Sequence, residues 1–363
     1  MTPPKILIMA GGTGGHILPA LAVAKELQAH HIEIHWLGTL QGLEQQLVPP
    51  AGFPIHTIQM QGVRGKGLMR LLTAPFSLLR ATLQAMDVIR QLKPAMVIGF
   101  GGFVTAPGGL ASWLLRKPLA LHEQNAVAGL SNRCLAYLAS LIFQAFPDTF
   151  PPGRHALTCG NPVRKEIFAL PAPELRPKDT SRPLNLLIIG GSRGATVFNQ
   201  VVPEALSALL PSQRPQIWHS AGKGNAEKTQ ALYQSLAIST RVVEFIKDMS
   251  SAYLWADLVI CRAGALTVAE LAAAGVASIL VPYPHAVDDH QTKNGAWLVE
   301  AGAALLIPQN VFSAQKLSSL LLAFAADREK LLAMAMAART LAIPDATQKI
   351  VKGCLALSSP EKS

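Results

Sequence analysis

The sequence predicts an α/β chain made of two Rossmann-like domains facing across a cleft, with parallel sheets covered by helices. Apolar runs recur along it, each followed by a helical stretch: "KILIMA", "IEIHWLG", "AMVIGF", "PLALHE", then "LNLLIIGG", "QIWHSAG", "RVVEFI", "DLVICR" and "ASILVPY". Strands that are apolar throughout belong to sheets buried on both faces. The opening pattern "KILIMAGGTGG" also returns about halfway along as "LNLLIIGGSRG", so a strand, glycine turn and helix head each half. A length of 363 residues suits two domains, and "GNPVRKEIFALPAPELRPKDTSRP" has the proline and charge of an interdomain segment.

Composition narrows the partners. Half the residues are hydrophobic and 15% are charged, so a large core can form. The net charge of +10 suits an acidic partner. No dense basic run with interleaved aromatics occurs, so nucleic acid is not expected. Cys134, Cys159, Cys261 and Cys354 lie far apart with no Cys-x-x-Cys pair, the pattern of a reduced cytosolic protein without zinc. The apolar run before the first glycines is too short for a signal peptide. From Ala95 to Leu115 the chain is uncharged and long enough to span a bilayer, but five glycines and Pro107 favour a strand, a loop and a helix.

Glycine loops follow three strands, at Gly11–Gly15, Gly99–Gly102 and Gly190–Gly194. Turns without side chains let backbone amides reach a ligand, and a following helix start adds partial positive charge. Three such loops point to phosphate. "GGTGGH" does not fit the dinucleotide spacing, and no acidic residue at Gly38–Thr39 is placed to hold an adenosine ribose. No Walker sequence occurs. Nicotinamide cofactors and ATP are therefore disfavoured, and no cofactor is expected.

In the second half, "CRAGALTVAELAAAG" follows a strand. Thr267 and Glu270 have the spacing of a capping box. Capping alone is sufficient reason for both and is the favoured reading; the functional alternative gives Thr267 to a diphosphate and Glu270 to the vicinal hydroxyls of a ribose. "HAVDDHQTKNG" is a polar loop; with no Asp-x-Asp in the chain, sugar contacts are favoured over metal at Asp288–Asp289.

"MAGGTGGHILPALAVA", "GFGGFVTAPGGLAS", "LHEQNAVAGLSN", "GNPVR", "GGSRGA" and "CRAGALTVAELAAAG…DDHQTKNG" occur in the order seen in one family. The chain resembles the GT-B-fold transferases that move N-acetylglucosamine from UDP-N-acetylglucosamine to undecaprenyl-diphospho-N-acetylmuramoyl-pentapeptide, converting lipid I to lipid II in peptidoglycan synthesis. The resemblance implies an N-terminal acceptor- and membrane-facing domain over 1–162 and a donor domain over 163–343. A last helix, 344–363, would pack back on the first domain. It implies donor contacts at Thr13, Gly14, Gly15, Asn125, Arg164, Ser192, Ile246, Ala265, Leu266, Thr267, Val268, Ala269, Glu270 and Gln291, with Arg262 and Arg164 near the diphosphate and no metal. It also implies a peripheral place on the cytoplasmic face of the bacterial membrane.

An inverting transfer needs a base within reach of the acceptor's 4-hydroxyl. His16, at the end of the first strand, has the intrinsic pKa for it, although a hydrogen bond at the helix start would also explain it. Glu123 in "LHEQN" is the competing carboxylate. Three residues depart from the family pattern: Arg193 for a more usual glutamine, Ala269 for serine, and Phe103 where tyrosine can occur. Beyond Pro75 the stripe Phe76, Leu79, Leu83 and Met86 is expected in the core. Leu68, Met69, Leu71 and Leu72, ringed by Arg64, Lys66, Arg70 and Arg80, are expected at an anionic membrane surface. Another GT-B transferase, a UDP-N-acetylglucosamine epimerase and a non-catalytic sugar-nucleotide sensor remain open alternatives.

Overall fold

The computed structural model describes residues 3–60, 68–176, 181–191 and 194–358. The chain divides into two compact units, Met1–Val163 with Ile343–Ser363, and Arg164–Ala342. The first holds a sheet of seven strands: β1 (Lys5–Ala10), β2 (Glu33–Thr39), β3 (Ile55–Ile58), β4 (Met96–Gly101), β5 (Leu119–Glu123), β6 (Leu141–Gln144) and β7 (Leu157–Thr158). Their order is β3-β2-β1-β4-β5-β6-β7. The second holds six: β8 (Asn185–Ile189), β9 (Gln216–Ser220), β10 (Arg241–Val243), β11 (Leu258–Cys261), β12 (Ala277–Leu280) and β13 (Ala304–Leu306), ordered β10-β9-β8-β11-β12-β13. All pairings are parallel. Both sheets reverse strand order beside their first strand, at β1/β4 and β8/β11. That is the switch point where such sheets bind ligands beyond their carboxyl ends.

The apolar runs dictate this arrangement. Ile6, Leu7, Ile8 and Met9 are fully buried and alternate between two packed layers. Helix α1 (Gly14–Ala29) covers one face with Ile17, Val23, Ala24 and Leu27, and the last helix, Ala346–Ser358, packs beside it. A short helix α2 (Glu44–Leu47) follows β2. On the other face lie α3 (Leu68–Leu92) and α4 (Thr105–Leu114). Residues 95–115 thus form a strand, a loop and a helix, and no described helix is long and apolar enough to cross a membrane.

The core stripe expected on α3 is corrected. Phe76, Leu79 and Leu83 are 75%, 58% and 51% exposed, and only Met86 is partly buried. The buried side of α3 is Ala81, Ala85 and Ile89, which pack in one cluster with Val104 and Ala111. Small residues at successive turns let two helices approach closely, so the alanines rather than the bulky residues mark the packed face.

Each unit buries a neutral histidine. In the first, His122 donates from Nε2 to the Gly160 carbonyl (3.1 Å) while Nδ1 accepts from the Gln124 amide (3.0 Å). In the second, His219 Nδ1 accepts from the Tyr233 hydroxyl at 2.9 Å. Burial pushes their pKa values down to about 4 and about 3. The unfolded chain therefore takes up protons near pH 6.5 that the folded chain refuses until those lower values. Stability is full above about pH 6.5 and falls as the pH drops, by about 1.4 kcal/mol per unit for each histidine. Unfolding free energies from urea titrations at pH 7.5 and pH 5 should differ by about 2 kcal/mol for each of the two units, and His122→Gln should flatten the dependence for the first.

Candidate functional site

In the first unit the site is built where β1 and β4 end. Thr13 is the N-cap of α1, and its carbonyl accepts from the amides of His16 and Ile17. The amides at the very start of a helix have no intrahelical acceptor and point outward; here they belong to Gly14 and Gly15. The His16 ring folds back, and Nδ1–H donates to the Gly11 carbonyl at 3.3 Å, with Thr13 Oγ1 at 3.4 Å. That bond fixes the neutral tautomer, so the ring's lone pair lies on Nε2. The β4 loop is packed under this turn. At Gly102 (φ +87°) a Cβ would meet the Gly11 carbonyl oxygen at 2.2 Å, so glycine there serves close backbone contact.

Glu123, at the end of β5, is buried and its carboxylate is surrounded by donors. Oε1 accepts from the Asn125 amide (3.0 Å) and Asn125 Nδ2 (3.3 Å). Oε2 accepts from the Gly129 amide (3.0 Å) and Asn132 Nδ2 (2.9 Å). Four donors make it the clamp of the loop that carries Asn125.

A second buried carboxylate lies below the first glycine turn. Glu44 accepts from the Gly12 amide at Oε2 (3.1 Å), and from the Thr39 amide (2.8 Å) and hydroxyl (2.7 Å) at Oε1. Sequence reasoning missed it, because Glu44 in "QGLEQQL" reads as an ordinary helix residue. The usable signal was the pair of glycines around it, Gly38 and Gly42.

In the second unit the site lies at the ends of β8 and β11. The helix Ala265–Ala274 starts from the N-cap Gly264, with no side-chain cap. The expected capping box is therefore corrected: helix starts three residues before Thr267, which places Glu270 in the interior. There Glu270 accepts from Arg164 Nη2 at 2.8 Å and from the Tyr253 hydroxyl at 3.1 Å. Burial raises the carboxyl's pKa, and the Arg164 guanidinium works against that rise. Burial, with Glu270 beside it, holds the Tyr253 hydroxyl protonated. At the far end of this helix Arg176 and Arg339 donate to the carbonyls of Ala273, Ala274 and Gly275, which complements the helix dipole. Asn294 Nδ2 donates to the Ala263 carbonyl (3.1 Å) and fixes its start.

Other expected site residues are placed as follows. Ala265 and Val268 are buried, while Leu266, Thr267 and Ala269 are partly exposed in the first turns. Ile246 is half-buried in the loop after β10. Gln291 Oε1 accepts from the Tyr283 amide (2.9 Å). Arg262 donates to the Val281 and Pro282 carbonyls and to Gln309 Oε1, so it braces strand ends. Ser192 and Arg193 lie outside the described residues. Among the described residues no cluster of three or more His, Cys, Asp or Glu side chains could hold a metal ion.

Residues 6–144 match the N-terminal domain of glycosyltransferase family 28 and residues 185–350 its C-terminal domain. The chain belongs to glycosyltransferase family 28. It is 54% identical over 351 residues, 97% of this chain and 98% of the relative, to the UDP-N-acetylglucosamine--N-acetylmuramyl-(pentapeptide) pyrophosphoryl-undecaprenol N-acetylglucosamine transferase of Pseudomonas paraeruginosa. The enzyme of that name from Marinobacter nauticus is 50% identical over 351 residues, 97% of each chain. The crystal structure of Acinetobacter baumannii MurG superposes with a TM-score of 0.85 at 44% identity, covering 98% of this chain and 100% of that one. In family 28 terms, the N-terminal domain carries the His16 and Asn125 loops and the C-terminal domain the Glu270 helix.

Proposed function

We propose that this chain transfers N-acetylglucosamine from UDP-N-acetylglucosamine to the 4-hydroxyl of undecaprenyl-diphospho-N-acetylmuramoyl-pentapeptide, with inversion at the anomeric carbon. The observation that carries this is the near-full-length identity to transferases named for that donor and acceptor. The site chemistry supports it. Glu270 is a buried carboxylate whose partner Arg164 is half-exposed and able to turn aside, so a ribose diol can take its place on Oε1. The amides of the Ala265–Ala274 helix start, with Thr267 and Arg164, would take the diphosphate; Gly14 and Gly15 present a second set. The acceptor oxygen bonds to the anomeric carbon as the bond to the β-phosphate oxygen breaks. The hydroxyl proton passes to His16 Nε2 and UDP leaves.

The test is UDP release from UDP-N-acetylglucosamine with and without the lipid acceptor. Acceptor-dependent release is expected. Release no faster than in buffer would leave a sensor, and interconversion of the free sugar nucleotide without lipid would mark an epimerase.

The reading includes a peripheral place on an anionic membrane. Support comes from Phe76, Leu79 and Leu83 exposed on α3, Trp113 and Leu114 exposed on α4 packed beside it, and exposed Arg80 and Arg116. Apolar side chains among cations suit such a surface. Arg64 and Lys66 lie outside the described residues; for Leu68, Met69, Arg70, Leu71 and Leu72 only the helical backbone is described. Exchanging Phe76, Leu79 and Leu83 for serine should weaken binding to phosphatidylglycerol vesicles by at least about tenfold, since each buried side chain contributes about 1.5–3 kcal/mol. Equal binding would remove the proposal.

A further inference from the structure

We propose that Glu44 is a positioning residue for His16, coupled to it through the single peptide group that joins Gly11 to Gly12. That peptide is held at both ends. Its N–H, on Gly12, donates to Glu44 Oε2 at 3.1 Å, and its C=O, on Gly11, accepts from His16 Nδ1 at 3.3 Å. The imidazole and the carboxylate thus form one chain of hydrogen bonds, Glu44 to peptide to His16, with a backbone amide where other enzymes place direct contact between acid and histidine. The inference rests on the base role given to His16 above.

Three features say that the carboxylate is built into place. Glu44 is fully buried. Its other oxygen is fixed by the Thr39 amide and hydroxyl, so the group cannot turn without losing both bonds. The surrounding backbone is shaped to admit it: a Cβ at Gly42 would lie 2.1 Å from both carboxylate oxygens, one at Gly38 2.8 Å from Glu44 Cγ, and one at Gly11 3.0 Å from Oε1. Some of the glycine in this region therefore makes room for an internal anion rather than for a ligand.

The physical effect follows from polarisation. A carboxylate accepting from a peptide N–H draws its proton and leaves more negative charge on the carbonyl of the same peptide, and hydrogen bonds in such a chain strengthen one another. The Gly11 carbonyl becomes a better acceptor for Nδ1–H. A free neutral imidazole favours the opposite tautomer, with the proton on Nε2. Glu44 thus keeps the proton on Nδ1 and the lone pair on the nitrogen that must take the acceptor's proton.

The test uses the full chain with 15N-labelled histidine, His16 being assigned by its loss in His16→Gln. At pH 8 without ligand the wild-type ring should be mainly the Nδ1–H tautomer. In Glu44→Gln the Nε2–H share should rise. Acceptor-dependent kcat should fall about 10- to 100-fold, the range seen when a group that orients a histidine is removed. KM for UDP-N-acetylglucosamine should stay within about twofold. If the amide variant does not fold, Glu44→Asp keeps the charge but draws it back by one methylene, and the same two shifts are expected. A variant that folds with an unchanged tautomer and unchanged kcat overturns the proposal, whatever His16 does. A shifted tautomer with full activity retained in His16→Gln would support the coupling and remove His16 as the base.

Discussion

His16→Ala should lower acceptor-dependent UDP release by about 10²- to 10⁴-fold, the usual contribution of a positioned general base, while UDP affinity measured by calorimetry changes little. The reason lies in which atoms do what. The donor's diphosphate is assigned to backbone amides and Arg164, and none of these is lost with the imidazole. The proton of the acceptor hydroxyl is assigned to Nε2, whose lone pair is set by the bond from Nδ1–H to the Gly11 carbonyl. Glu123 makes the informative contrast. Its two oxygens already accept from four donors of the loop it clamps, so Glu123→Gln should appear first as a lower urea midpoint, because an amide cannot accept at both ends. A folded Glu123→Gln that loses turnover, beside a His16→Ala that keeps it, would reverse the two assignments.

Glu270→Ala should weaken UDP binding by about 10²- to 10³-fold. A carboxylate that accepts two hydroxyl hydrogen bonds contributes about 1.5–3 kcal/mol for each, and its removal also leaves the buried Tyr253 hydroxyl and Arg164 without their partner. Glu270→Gln keeps an acceptor oxygen and loses the charge, so a smaller drop, about tenfold, is expected. The pH dependence has a definite sign. Burial raises the carboxyl's pKa despite the opposing attraction of Arg164, so protonation begins at a higher pH than for an ordinary glutamate. UDP affinity should therefore weaken on acidification before the ordinary carboxylate range is reached, and this weakening should vanish in Glu270→Gln. Titration calorimetry across that range checks both points. An unchanged affinity in Glu270→Ala would detach this residue from the donor.

The strands that the sequence did not announce were β3, β6, β7 and β13, each of four residues or fewer. Three of these are sheet edges and the fourth adjoins one. β3 ("IHTI") and β7 ("LT") lack a continuous apolar run, as edge strands covered on fewer sides often do. Glu270 and Arg164 were each singled out for their places in motifs, but their pairing was not, nor was Tyr253. Arg164 lies 106 residues away in the chain and Tyr253 is 17 away, and no local spacing brings them together. The capping box failed for a related reason: Thr267 and Glu270 have the right interval, but a helix begins where the backbone leaves the strand, and here that is Gly264.

The sequence by itself determined the α/β class, the doubled strand–glycine turn–helix plan and the glycine loops at the strands' carboxyl ends, because apolar periodicity and glycine spacing are local properties of the chain. Tertiary structure alone decided which face of α3 is buried, which carboxylate receives Arg164, and that Glu44 lies beneath the first glycine turn. Each depends on what a distant segment brings alongside: the small residues that admit α4, a cation across the fold, and a backbone amide that donates to the Glu44 carboxylate.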